Sequence, residues 1–232
     1  MTSPDHITLD VQHLTVRRAS ATIISGMVFT LAQGTALLVT GANGSGKTSL
    51  LRGLAGLLPV DQGTILINGR PAGEDPLTDK DDMIYIGHRD GLSSGLTAAE
   101  NIRFWATCRG MNATPDQLTE AFDALGIVHL MASETRHLSE GQRKRVGLVR
   151  LALDHQLNRH RATQSLWLMD EPLTAIDSAA AALLARLINA HTAAGGSVVM
   201  TTHADIALDR ARHLNLDTAA RENSVHSLEV AS

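Results

Sequence analysis

The octapeptide Gly41-Ala-Asn-Gly-Ser-Gly-Lys47-Thr48 constrains this chain more than any other feature. It follows the apolar run Ala36-Leu-Leu-Val39 and precedes Ser49-Leu-Leu-Arg-Gly-Leu54, so a buried strand must turn through glycines straight into a helix. Strand, G-x-x-x-x-G-K-T and helix in that order make a phosphate-binding loop. Glycines let the backbone approach an anion and turn its N–H groups inward, and the helix that begins there adds the positive end of its dipole. The expected nucleotide-binding segment comprises Gly41, Ala42, Asn43, Gly44, Ser45, Gly46, Lys47, Thr48 and Ser49. Within it Lys47 would reach the terminal phosphates and the Thr48 hydroxyl would hold Mg²⁺.

Composition narrows the alternatives. At 232 residues and 44% hydrophobic, the chain has material for one large or two small packed domains. Its net charge of −4 gives no footprint for non-specific nucleic-acid binding, and 3% aromatics offer few stacking platforms, so no nucleic-acid partner is expected. Cys108 has no partner for an intramolecular disulfide, which fits a reducing compartment, and it is expected to pack in the core. The stretch Met1-Thr-Ser-Pro-Asp-His6 lacks the basic start and apolar run of a signal peptide. No run approaches the ~20 apolar residues of a membrane span, so another chain must supply spanning helices if this one works at a membrane.

Along the chain, Ile7, Leu9 and Val11 alternate with Thr8, Asp10 and Gln12, and Met27, Phe29 and Leu31 repeat that period of two. These predict an antiparallel sheet with one wet face, extended by Gly63 to Gly69 with its Asn-Gly turn. Leu50, Leu51, Leu54, Leu57 and Leu58 predict a helix that runs until Pro59 stops it. Residues 69–82 read as a surface connection and Met83 to Ile86 as a short strand. From 89 to 137 helical patterns replace strands, and Thr97 with Glu100 matches a capping box. Strands and helices alternate again from Leu138. The expectation is an α/β P-loop NTPase core with a parallel sheet (residues 1–88 and 138–232), an antiparallel β subdomain and an inserted helical subdomain (89–137).

Three further constellations carry chemistry. Leu166-Trp-Leu-Met-Asp170-Glu171-Pro172 ends a buried strand in adjacent carboxylates, which calls for a cation. Asp170 would hold Mg²⁺ through water, and Glu171 would orient or deprotonate the attacking water. Leu138-Ser-Glu-Gly-Gln142 precedes a helix with the apolar stripe Val146, Val149, Leu153 and Leu157, putting Ser139 and Gly141 at a second anion-binding helix start. The basic cluster Arg143, Lys144, Arg145 and Arg150 lies off that stripe and reads as a solvated face. His203 follows the run Ser197-Val-Val-Met-Thr-Thr, on the sheet edge that also carries Lys47 and Asp170, where it could contact the γ-phosphate.

In this order, the phosphate loop, Leu-Ser-x-Gly-Gln, the aspartate-glutamate strand and the terminal histidine resemble the ATP-binding subunits of ABC transporters over nearly the whole chain. The resemblance implies a head-to-tail homodimer in which Lys47 of one copy and Ser139, Gly141 and Gln142 of the other enclose one ATP. Leu173-Thr-Ala-Ile-Asp177 matches the loop that would run along that seam. His88 stands where the family usually has the glutamine that contacts Mg²⁺ or water. Arg18 is the candidate to stack on adenine in place of the usual aromatic, which Arg17, Ala19 and Ser20 do not supply either. Glu140 replaces the commonest glycine, so its carboxylate would have to point away from bound phosphate.

Tyr85-Ile-Gly-His88, Leu96-Thr-Ala-Ala-Glu-Asn101, Asp170 to Asp177 and Thr201-Thr-His203 narrow the resemblance to the CcmA subfamily, which serves bacterial cytochrome c maturation (haem export). That implies ATP with Mg²⁺, a place on the cytoplasmic face of the inner membrane, and integral membrane permease subunits CcmB, with CcmC and CcmD. The helical insertion after His88 would meet them. Whether haem is exported or a haem-loaded periplasmic chaperone is released stays open at this point, as do transport of another cargo and a non-transport ABC role. The 28-residue step from Gln142 to Asp170 is longer than that subfamily usually shows, and the excess is assigned to a polar surface loop over residues 154–164, with His155 and His160.

Overall fold

In the computed structural model, which describes residues 7–18, 21–72, 83–158 and 165–218, the strand entering the phosphate loop lies inside a five-stranded parallel sheet. The spatial order is β6 (Met83–Ile86), β7 (Leu166–Asp170), β8 (Ser197–Thr201), β3 (Ala36–Thr40) and β9 (Ala211–Asn215). Every residue of β7 and β8 is buried, as continuous apolar runs must be when both faces of a parallel sheet are covered. Because the strands run the same way, the ends of β3, β7 and β8 deliver Gly41, Glu171 and Thr202 to one edge. β8 is followed in the chain by one further strand, which completes the sheet. The edge strand β9, with its exposed Arg212 and His213, has no apolar run to announce it and among the described residues pairs only with β3.

Alternate residues of the parallel sheet face two different cores. Leu37, Val39, Leu166, Leu168 and Val199 pack with Leu50, Leu51 and Leu54 of α1 (Lys47–Leu54) and with the antiparallel sheet. That sheet has the order β2 (Ala21–Ala32), β1 (Ile7–Arg18), β4 (Gln62–Ile67) and β5 (Arg70–Pro71). Leu9, Val11, Met27 and Leu31 are its buried positions, as the alternation predicts. Thr8, expected on the wet face, is buried instead because its hydroxyl accepts from Ser197 Oγ at 3.1 Å, joining the two sheets.

The opposite face, with Leu38, Trp167, Met169, Val198 and Met200, shares one core with α2 (Ala98–Cys108), α3 (Pro115–Asp123), α4 (Glu140–Asn158) and α5 (Ser178–Ala193). Thr97 and Glu100 form the expected capping box at α2. Thr114 and Gln117 form another at α3, where Pro115 takes the first helical position.

Four local expectations are corrected. α1 stops at Leu54 rather than before Pro59, because Gly56 turns left-handed (φ 66°). Leu57 N–H then bonds Arg52 O and Gly56 N–H bonds Gly53 O, a Schellman closure that leaves Leu57 exposed. Cys108 is exposed, since the buried stripe of α2 is Ala98, Ile102 and Ala106, and a residue two further on points to the other side. Residues 154–158 belong to α4 rather than to a loop, and Asp154 is fully buried. Lys144, read as part of a solvated face, is only 7% exposed. Residues 159–164 with His160, most of the 69–82 connection, Ala19 with Ser20, and the first six residues lie outside the described residues.

At the start of β7 the interior is polar. Trp167 stacks on His191 with ring centres 3.6 Å apart and planes 4° from parallel, and Asp154 accepts from Trp167 Nε1 (2.9 Å) and from Ser165 Oγ. His191 Nε2 lies 2.9 Å from the Ser165 carbonyl, which can only accept, so the imidazole carries its proton there. Burial pushes His191 down to about 3; the Ser165 bond opposes that and nearby His155 adds to it. Unfolded histidine titrates near ~6.5, so between that pH and about 3 the unfolded chain binds a proton that the folded one refuses. This group's contribution is therefore complete above ~6.5 and drains away as pH falls toward 3. His191→Phe, which keeps the stack, should lose about 1 kcal/mol at neutral pH for the missing hydrogen bond. It should also show a smaller fall in Tm between pH 7 and pH 4.5 than wild type. Equal slopes in a thermal melt series would remove His191 from the acid response.

Candidate functional site

The loop between β3 and α1 is shaped by Gly46, whose φ of 101° and approach to Ile23 exclude a side chain, since a Cβ there would sit 2.9 Å from Ile23 Cγ2. Immediately after it, Lys47 is 6% exposed, and its ammonium donates to Gly41 O (2.9 Å) and Ala42 O (3.1 Å). The cation is thus held over the concave side of the loop. Arg18, Asn43, Gly44, Gly46, Lys47, Thr48, Ser49 and Glu171 line one cleft of about 230 Å³ with Ile23. Gly41, Ala42 and Ser45 complete the loop beneath it, with Ser45 N–H bonded to Ala42 O.

Asp170, at the end of β7, is 1% exposed. Its Oδ1 accepts from Thr48 Oγ1 (3.2 Å) and Thr201 Oγ1 (3.0 Å), while its Oδ2 is buried with no hydrogen-bond partner. A buried carboxylate oxygen without a donor is costly unless a cation meets it. Hydroxyl and carboxylate oxygens are the donors a small hard cation takes, so Thr48 and Asp170 fit Mg²⁺. Among the described residues no cluster of three or more His, Cys, Asp or Glu could hold a metal, so the remaining ligands would have to come from phosphate and water.

Glu171 adopts φ 49°, a left-handed conformation that costs a non-glycine residue about 1–3 kcal/mol and turns its side chain away from that of Asp170. Its N–H donates to Thr201 Oγ1 (2.8 Å), so one hydroxyl serves both carboxylate residues. Its Oε1 lies 3.5 Å from His203 Nε2 and its Oε2 accepts from Thr174 Oγ1 at 3.4 Å. Thr48, Asp170, Thr201, Glu171 and His203 are therefore joined by successive polar contacts, and Lys47 lines the same cleft as Thr48 and Glu171.

Other expected site residues sit elsewhere. Ser139 and Gln142 cap α4 reciprocally: Ser139 N–H donates to Gln142 Oε1 (2.9 Å) and Gln142 N–H to Ser139 Oγ (3.2 Å). Gly141 packs so tightly on the loop after Glu171 that a Cβ would fall 2.2 Å from Ala175 O. Asp177 caps α5, accepting from Ala180 N–H at 2.7 Å. His88 is exposed and lines a second cleft of about 480 Å³ with Asp90, Glu140, Lys144 and Thr174. None of these residues lines the cleft of Lys47 in a single copy of the chain.

Three residues escape sequence reading. Thr201 ends an apolar run and looks like strand. Asp217 accepts from Ala42 N–H at 2.9 Å and so steadies the loop from 175 positions away, with no local signal. Lys144 hides in a basic cluster, and burial pulls its ammonium below the usual lysine range against the attraction of Asp170, Asp90, Glu171 and Glu140.

The family model for ABC transporters matches residues 24–174. The cytochrome c biogenesis ATP-binding export protein CcmA of Cupriavidus necator is 43% identical over 202 residues, covering 86% of this chain and 84% of that protein. The protein of the same name from Paramagnetospirillum magneticum is 39% identical over 217 residues, covering 92% and 95%. Among solved structures, the ATP-binding subunit of an ABC transporter superimposes with a TM-score of 0.73 at 24% identity, covering 84% of this chain and 79% of that one. A putative ABC transporter ATP-binding protein from Pyrococcus furiosus gives 0.75 at 20% identity, covering 90% and 98%. At those identities the two structures speak for the fold.

Proposed function

The chain belongs to the ABC transporter ATP-binding family and, within it, to the CcmA family of cytochrome c biogenesis export proteins, and from that premise we propose how its residues work. It is the ATP-hydrolysing subunit of a cytochrome c biogenesis, haem-export type machinery. The observation that carries the chemical reading is the buried, unpartnered Oδ2 of Asp170 beside the Thr48 hydroxyl, one residue from the strained Glu171.

Lys47 and the loop N–H groups from Gly41 to Ser49 bind the phosphates of ATP, and Arg18 lies against the base. Thr48 and Asp170 hold Mg²⁺, which when bound neutralises phosphate charge. Glu171 takes the proton of the attacking water, and His203 fixes its carboxylate and meets the γ-phosphate. Thr201 keeps the two carboxylates in register, since its single hydroxyl donates to one and accepts from the backbone of the other.

Ser139, Gly141 and Gln142 act in trans, closing over the ATP of a second copy in a head-to-tail homodimer. Support comes from Gly141, whose contact with Ala175 links the start of α4 to the Glu171 loop and to Asp177 at the seam. His88 senses the water or metal from the neighbouring cleft. No helix among the described residues is long and apolar enough to cross a membrane, so the membrane work falls to partners. These are CcmB, with CcmC and CcmD, met by the helical insertion on the cytoplasmic face of the inner membrane. Closure on ATP drives haem export or releases the haem-loaded periplasmic chaperone.

Deleting the gene should abolish c-type cytochromes, read as the loss of haem-stained bands, while b-type cytochromes persist, and the wild-type gene should restore them. Normal c-type assembly in the deletion strain would reject the cytochrome role and leave the ATPase chemistry standing.

A further inference from the structure

The 480 Å³ cleft beside Glu171 has an unbalanced floor. It is lined by the basic groups His88, Arg89, Arg143 and Lys144 and the acidic Asp90 and Glu140, together with Thr174 and Ala175. Arg143 is already engaged, with Nε 3.3 Å from Asp90 Oδ2 and a bond to Leu138 O. Lys144 is not: it is 7% exposed, and its ammonium makes no hydrogen bond or ion pair among the described residues. A largely buried ammonium that lines a cavity and makes no hydrogen bond or ion pair among the described residues leaves room for an anion.

We propose that this cleft is a second oxyanion site, floored by Lys144, that receives the inorganic phosphate split from ATP before it leaves the protein. The inference rests on the ATPase reading above. Glu171 stands between two cavities: it lines the cleft of Lys47, and it accepts from the Thr174 hydroxyl, which lines the cleft of Lys144. When water attacks the γ-phosphorus and the bond to the ADP oxygen breaks, the phosphate is freed next to Glu171. ADP still fills the way back past the loop. Thr174 marks the short way out, and on that side Lys144 is the buried cation that makes no hydrogen bond or ion pair among the described residues, whereas Arg89 is exposed. A small free oxyanion reaches an ammonium only 7% exposed more readily than a carboxylate carried on another folded chain.

The same desolvation lowers the ammonium of Lys144 against the attraction of nearby carboxylates, so an arriving anion would favour its charged form without displacing a hydrogen bond or ion pair among the described residues. The test is calorimetric titration of inorganic phosphate into the full chain saturated with MgADP, comparing wild type with Lys144→Met, Lys144→Arg and Lys144→Gln. Wild type should bind phosphate with a Kd on the order of millimolar, and Lys144→Met should weaken it by about tenfold or more. Lys144→Arg should retain most of the affinity. Lys144→Met should keep its Tm, because no hydrogen bond or ion pair among the described residues is lost; should it not fold, Lys144→Gln carries the comparison. Equal phosphate affinity in wild type and the Met or Gln variant would overturn the site. So would the absence of phosphate binding to wild type that binds MgADP normally, which would give the ammonium to a carboxylate of another chain. Failure of MgADP itself to bind would instead defeat the ATPase reading beneath the proposal.

Discussion

Lys47→Ala should leave a folded protein that no longer turns over ATP. The ammonium is nearly enclosed and bonds Gly41 O and Ala42 O, so it lies over the hollow of the loop before any phosphate is considered. A fixed cation aimed where charge concentrates is worth about a hundred- to a thousandfold in rate, or about 2.7–4 kcal/mol, and among the described residues lining that cleft Arg18 is the other cation. Turnover should fall by at least about a hundredfold, with ATP binding weakened in parallel. The scaffold should survive, because Ala42 O keeps its bond from Ser45 N–H and Ala42 N–H keeps Asp217. Unchanged hydrolysis in a phosphate-release assay would take the loop out of the mechanism.

Glu171→Gln should separate binding from cleavage. Glutamine fills the same volume, keeps the backbone bond to Thr201 and can still meet Thr174 and His203, but it cannot accept a proton from water at neutral pH. Loss of a general base costs about a hundred- to ten-thousandfold in rate. ATP binding should persist, and with cleavage stopped the ATP-bound head-to-tail dimer should accumulate. Size-exclusion chromatography with and without MgATP reads the second effect, and a steady-state assay reads the first. Wild-type hydrolysis by this variant would reject Glu171 as the group that activates water. A variant that binds MgATP yet stays monomeric would reject the dimeric arrangement.

Much of the site was legible because its signals are local. The phosphate loop declares itself within one strand, one turn and one helix, and Asp170 with Glu171 declares itself at the end of an apolar run. The Thr97 capping box was readable for the same reason, since it needs only two residues three apart. What sequence reading missed depends on distant partners. Thr201 became a site residue only when β8 paired with β7 beside Asp170. Cys108 and Lys144 were both misjudged, in opposite directions, because each lies at the margin of an apolar stripe and its burial is decided by the elements that cover it.

From its sequence alone, then, this protein was bound to make a glycine loop between a buried strand and a helix, a carboxylate pair at a strand end, and a serine-started helix. Each follows from backbone preferences and hydrophobic period within about ten residues. The tertiary structure alone decided that Thr48, Asp170 and Thr201 share one buried oxygen, that Asp217 secures Ala42, and that Lys144 is largely buried without a hydrogen bond or ion pair among the described residues. Pairing and desolvation depend on which groups the packed fold brings within a few ångströms, and chain separations such as the 122 residues between Thr48 and Asp170 carry no local trace of that meeting.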